Sequence, residues 1–219
     1  MLRRAVGWWK LTHGCASPPP MLQISANFIL TADGKISTRG SFGSGFGSPA
    51  DHARLLELRA AADAVVVGRA TLEADAMGLG LGDRADLVAA RQAAGNSPYP
   101  ARVIACGNRR PPPEHPVFHR SGGDIHLLDG DEVVTGLQDL AGKHGWETIH
   151  CEGGPRLFAA LMAVDMIDTL HVTICPRVFG GFSAPGMLPR DACWTRSRAW
   201  TLAAMDSAQG DLFLRYQRA

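Results

Sequence analysis

With 219 residues, 46% hydrophobic and 20% charged, the chain has the length and make-up of one globular domain around a single sizeable core. Its 22 Lys and Arg stand against 21 Asp and Glu, so the net charge of +1 offers no broad basic field to nucleic acid or acidic lipid, and charge recognition has to be local. No apolar run approaches the roughly 18 residues that span a bilayer, and five scattered cysteines without a CxxC pair read as free thiols in a reducing cytoplasm.

Residues 1–20 end in Pro18, Pro19 and Pro20. Lys10 and His13 interrupt the apolar stretch after Arg3 and Arg4, which makes a poor signal sequence. They are expected to be an extension outside the core, with the folded domain over 21–219. Residues 21–30 are apolar and partly alternating, which predicts a buried strand, and the Gly-rich stretch 31–47 follows as loop. Ser48-Pro49-Ala50-Asp51 reads as a helix start, with Ser as N-cap, Pro in the first helical position and an acid in the first turn. That helix continues through Leu55, Leu56, Leu58 and Arg59.

Ala64 and the β-branched Val65, Val66 and Val67 are closed by Gly68, the pattern of a strand buried on both faces. A short helix from about Thr71 follows. Further strands are expected at 102–106, 125–128, 148–151 and 170–175, helices at 133–143 and 156–162, and two closing strands at 199–204 and 212–216. Residues 107–115 read as surface loop. Strands alternating with helices imply a largely parallel sheet covered on both faces, and the last connection is too short for a helix, which predicts an antiparallel edge.

Two segments suit an anion. Gly68-Arg69-Ala70-Thr71 stands where a buried strand hands over to a helix, with a glycine for close backbone approach and a guanidinium for charge-assisted hydrogen bonds. Glu152-Gly153-Gly154-Pro155-Arg156 repeats the layout. Each alone reads equally well as a tight turn; two on one sheet favour a dinucleotide pyrophosphate. The glycines at 43, 45 and 47 and at 78, 80 and 82 lack the spacing and context of a Rossmann GxGxxG. His115-Pro116-Val117-Phe118-His119 has zinc-like spacing but lies among prolines and reads as surface loop, so no metal is expected.

Several motifs in order give the chain a specific likeness: Thr31-Ala32-Asp33-Gly34-Lys35-Ile36, the run 58–68, Thr71-Leu72-Glu73-Ala74-Asp75, Glu152-Gly153-Gly154-Pro155, Val164-Asp165-Met166-Ile167-Asp168 and Pro176-Arg177-Val178-Phe179-Gly180-Gly181. It resembles the reductase domain of the bifunctional riboflavin-biosynthesis deaminase-reductase. The resemblance implies a dihydrofolate-reductase-like α/β fold in three αβα layers, with a mostly parallel central sheet and an antiparallel C-terminal edge. It also implies a cytoplasmic homodimer that passes hydride from NADPH to 5-amino-6-(5-phosphoribosylamino)uracil. The deaminase half is not expected within these residues, because no HxE followed by PCxxC occurs.

By the same resemblance the backbone around Ile29 meets the nicotinamide, and Gly45, Thr71, Asp75 and Gly107 line the rest of the cofactor. The turn formed by Gly153, Gly154, Pro155, Arg156, Leu157, Phe158, Ala159 and Ala160 holds the pyrophosphate. Gly68-Arg69-Ala70-Thr71 is similar to the Gly-Arg-x-Thr of dihydrofolate reductase, in which the arginine grips the adenosine 2′-phosphate; Asn108, Arg109 and Arg110 assist. Arg59, Leu79 and Glu152 face the substrate, although Arg59 also reads as a solvated helix charge and Glu152 as a carboxylate capping the glycine turn; the proton donor is either Glu152 or a bound water. Asp33 reads as a turn former. One position departs from the pattern: Gly82 stands where the family's substrate-phosphate arginine is expected, with Arg84 nearby. A pterin or another small heterocycle is therefore an alternative substrate, and a non-enzymatic nucleotide-binding module an alternative role.

Overall fold

A computed structural model of the chain describes residues 22–38, 45–195 and 197–219; the expected extension at 1–20 lies outside them. In chain order the elements are β1 (Gln23–Thr31), α1 (Pro49–Ala61), β2 (Ala64–Gly68), α2 (Arg69–Ala74), α3 (Ala85–Ala93), β3 (Ala101–Gly107), β4 (Ile125–Asp129), α4 (Val133–His144), β5 (Thr148–Cys151), α5 (Pro155–Ala163), β6 (Thr169–Cys175), β7 (Trp200–Ala208) and β8 (Asp211–Arg218). The eight strands form one sheet in the order β4-β3-β2-β5-β1-β6-β8-β7. Pairings from β4 through to β6 are parallel, and β8 joins β6 and β7 antiparallel. The expected fold class is therefore found, edge included.

Strand alternation builds the two faces. On β2, Ala64 and Val66 belong to the larger core with Leu137 and Ala141 of α4 and Leu157, Phe158, Leu161 and Met162 of α5. Val65 and Val67 belong to the second cluster with Leu72 of α2. Neighbouring side chains of a strand point to opposite faces, so a run without polar residues has to be covered twice. Helix α1 starts as its sequence dictates: the Ser48 hydroxyl accepts from the backbone N–H of Asp51 at 3.2 Å.

Three expectations are corrected. Helix α3 was not anticipated, because its buried residue is the charged Arg91, which leaves no apolar stripe to read. The Arg91 guanidinium caps α1, donating to the carbonyls of Ala60 at 2.7 Å and Ala62 at 2.6 Å. The segment 107–115 is loop beyond Gly107 but not on the surface to its end: His115 is buried, its Nδ1 accepting from Val117 N and its Nε2 lying 3.2 Å from the Leu72 carbonyl. The closing strands run longer than expected, around a tight turn at Gln209 and Gly210, both with positive φ. Among the described residues no helix is long and apolar enough to cross a membrane.

Candidate active site

The connection from β1 to β2 passes β5 in one direction along the sheet, and that from β5 to β6 passes β1 in the other. Such a reversal opens a crevice at the carboxyl ends of the strands. Here it is a cavity of about 610 Å³ lined by the ends of β1 and β5, the start of α1, helix α2, residues 36–38, Gly45, Gly47, Ser183 and Pro185. The two glycine turns meet at its side. Gly68 N–H donates to the Gly153 carbonyl at 2.7 Å, and Glu152 N–H to the Val66 carbonyl at 2.9 Å. A Cβ on Gly154 would lie 2.3 Å from the Thr71 hydroxyl, so only glycine allows the second turn to sit against α2. The Gly153–Gly154 peptide is cis.

Of the residues singled out from sequence, Ile29, Gly45, Thr71, Asp75, Glu152, Gly154 and Pro155 line this cavity. Gly153 lies directly behind it, and Arg156 is exposed on the first turn of α5. Leu157 and Phe158 point into the main core, with Ala159 and Ala160 half-buried beside them. Gly107 ends β3 away from the cavity lining, with a φ of 61°. Leu79 is fully buried in the second core cluster rather than facing the cavity. Helix α2 has six residues, too few for much of a dipole, so its contribution is side chains.

Arg59 and Glu152 are both buried and form one bidentate pair. Arg59 Nε donates to Glu152 Oε1, Nη2 to Oε2 at 2.7 Å, and Nη1 to the Gly80 carbonyl at 2.8 Å. Burial by itself would lower the Arg59 pKa, but the attraction and hydrogen bonds of Glu152 outweigh it and hold the guanidinium above its ordinary value. The solvated-charge reading of Arg59 is therefore wrong. Glu152 does border the cavity, and both its oxygens accept from Arg59.

The loop 76–82 that departs from the family pattern supplies that Gly80 carbonyl. Gly82 has a φ of 57°, in the left-handed region that glycine adopts without penalty and an arginine does not. Arg84 does not take the arginine's place: its Nε and Nη2 donate to Asp86, and it is absent from the cavity lining.

Asp51 was read only as a first-turn acid, and the structure makes it more. It lines the cavity with Asn27, Ser48 and His52. Burial pushes its carboxyl above the ordinary range; the charge of Asp211 adds to this, and a hydrogen bond to Thr173 partly offsets it. The sequence carried a signal, an acid at the start of a helix beside a Gly-rich loop, but its burial depends on β6 and β8. Asp33 is confirmed as a turn former. It takes the Thr31 hydroxyl at 2.6 Å and the N–H groups of Phe179 and Gly180, and its carboxyl is held down to about 2, chiefly by Thr31.

The arginines considered for a 2′-phosphate are all matched with acids. Arg69 Nη1 and Arg109 Nη2 converge on the same oxygen of Glu73, at 2.5 and 3.0 Å. Arg110 instead pairs with the exposed Asp129 at the end of β4.

A mostly parallel sheet with an antiparallel C-terminal edge and a cleft at its carboxyl end is a fold of the dihydrofolate-reductase-like class. Dihydrofolate reductase from Enterococcus faecalis, complexed with NADP(H), superposes with a TM-score of 0.50 at 15% identity over 90% of this chain and 96% of that one. Within that class the chain belongs to the RibD C-terminal domain family, whose model matches residues 23–204. A pyrimidine reductase-like protein from Corynebacterium diphtheriae shares the fold with a TM-score of 0.76 at 19% identity, covering 90% of this chain and 92% of that one. The Thermotoga maritima diaminohydroxyphosphoribosylaminopyrimidine deaminase/5-amino-6-(5-phosphoribosylamino)uracil reductase does so with a TM-score of 0.70 at 15% identity over 91% of this chain, which spans 57% of that protein. No curated protein sequence matches the chain.

Proposed function

We propose that the protein is an NADPH-dependent reductase that converts the ribosylamino group of 5-amino-6-(5-phosphoribosylamino)uracil to ribitylamino, a step of riboflavin biosynthesis. The observation that carries this reading is the meeting of two glycine turns beside a cavity at the carboxyl ends of β1 and β5. Membership of the RibD C-terminal domain family supports it. The residues suit the cofactor. Gly154 packs so closely on Thr71 that no side chain fits there, which leaves bare backbone at the cavity wall, and the buried Arg69 Nε has no hydrogen-bond partner.

In this reading the Gly153 to Ala160 turn holds the pyrophosphate, Ile29 borders the nicotinamide, Gly45, Thr71 and Asp75 follow the cleft, and Arg69 and Arg109 take the 2′-phosphate. The bound cofactor supplies hydride to C1′. In the ring-opened form C1′ is bound to nitrogen as an imine, and on reduction at C1′ that nitrogen would need a proton. Asp51, rather than Glu152, holds this proton at the cavity wall, its protonated form favoured by burial. The Arg59–Glu152 pair orients the pyrimidine. The protein acts as a homodimer in the cytoplasm; sedimentation equilibrium showing only a 23.4 kDa species at micromolar concentration would contradict the dimer.

A second reading keeps the chemistry and changes the substrate. Among the described residues, Gly82 and the Asp86-bound Arg84 leave the family's phosphate arginine without a counterpart in the cavity lining, which favours a heterocycle without a phosphate, such as a pterin. NADPH oxidation measured against a panel of phosphorylated aminopyrimidines and pterins decides between the two. Nucleotide binding with no turnover of any of them would instead leave a nucleotide-binding module.

A further inference from the structure

Among the described residues three buried side-chain polar atoms lack a hydrogen-bond partner, and two of them sit in one ion pair: Arg69 Nε and Glu73 Oε1. This is not a self-sufficient surface bridge. Glu73 Oε2 receives both guanidiniums, Arg69 at 2.5 Å and Arg109 at 3.0 Å, while its other oxygen receives nothing. Both side chains of the Arg69–Glu73 pair are about four-fifths covered. Unmade hydrogen bonds at such depth carry a desolvation cost unless a ligand completes them. One missing partner is an acceptor for Arg69 Nε, and the other is a donor for Glu73 Oε1. A phosphate oxygen would supply the first, and a ribose hydroxyl the second.

We propose that Glu73 sets the nucleotide selectivity of the site, resting on the reading that Arg69 and Arg109 face the adenosine ribose. The cluster of two guanidiniums and one carboxylate has a net charge of +1. A phosphate dianion beside it must compete with Glu73 for the same donors and is repelled by its charge, whereas a ribose hydroxyl donates to the free Glu73 oxygen. Glu73 therefore narrows the preference for NADPH over NADH that the two arginines create.

The test is calorimetric titration of the full chain with NADPH and NADH, for wild type, Glu73→Gln and Glu73→Ala, with thermal melting of each variant to confirm folding. Removing one like charge next to a phosphate in a partly exposed setting is expected to raise the ratio of NADH to NADPH dissociation constants by about tenfold in both variants. A ratio within twofold of wild type in both variants overturns the proposal, as does an equal loss of both nucleotides, the mark of a merely structural brace. If the wild type binds neither nucleotide, the cofactor reading itself falls, an outcome distinct from the other two.

Discussion

Replacing Glu152 with Leu would strand the Arg59 guanidinium in the protein interior. The arginine is 7% exposed, and two of its three hydrogen bonds go to Glu152, so the variant leaves a buried charge with the Gly80 carbonyl as its remaining acceptor. Breaking a buried ion pair from one side costs about 3–5 kcal/mol, against a total stability on the order of 5–15 kcal/mol for a domain. The urea midpoint should fall by about a fifth or more. Arg59→Met should cost a similar amount, because it leaves the Glu152 carboxylate buried instead. The double variant Arg59→Met with Glu152→Leu removes both charges and should recover most of the loss, giving a coupling energy of at least about 2 kcal/mol in the double-mutant cycle. It should be folded and bind nucleotide, yet fail to turn over substrate, since the group that orients the pyrimidine is gone. Single variants within about 1 kcal/mol of wild type would refute the reasoning, because the pair would then be neither desolvated nor coupled.

Three further outcomes are expected. Arg69→Ala should weaken NADPH by roughly 1.5–3 kcal/mol, about tenfold to a hundredfold, and hardly affect NADH; equal losses of both nucleotides by calorimetry would assign Arg69 a structural role. Asp51→Asn should slow turnover by about a hundredfold or more while nucleotide affinity is kept. In the wild type, kcat/KM should decline as pH rises through the elevated Asp51 pKa, and persistence of that limb in the variant would clear Asp51 of the donor role. His150 is fully buried between the Ser25 hydroxyl and Asn27 Oδ1, and burial lowers its pKa from 6.5 to about 3. With the folded value depressed, the unfolded chain binds the extra proton first. Stability due to neutral His150 is then present above pH 6.5 and lost as pH falls toward 3. A His150→Gln variant should show a flatter dependence of the urea midpoint on pH between 6.5 and 4; an unchanged slope would rule this out.

Much of the architecture follows from signals a few residues long. The β-branched run ending at Gly68 specifies a strand because such side chains fit a pleated surface, and it needs two covered faces because no polar residue interrupts it. Ser48 and Pro49 start α1 because a hydroxyl oxygen can satisfy an orphan N–H and proline has none to satisfy. The glycine turns at 68 and 153–154 were legible as places where backbone approaches closely, and the likeness to riboflavin reductases put them in one site.

What the sequence could not decide depends on partners far along the chain. β1 is inserted between β5 and β6, and this order creates the crevice, yet no local pattern selects the strands beside it. Arg59 and Glu152 are 93 residues apart, so whether each was solvated or buried was settled only when α1 closed over the end of β5. Leu79, expected at the substrate, was claimed by the second core cluster. Helix α3 folds around a capping arginine, a role hydrophobic periodicity does not register. Asp51 became a candidate acid because β6 and β8 bring Thr173 and Asp211 against it, and Glu73 a candidate selector because Arg109 returns to it across 36 residues. Local chemistry determines which conformations a segment can adopt; desolvation and charge pairing, which determine what a side chain can do there, belong to the packed whole.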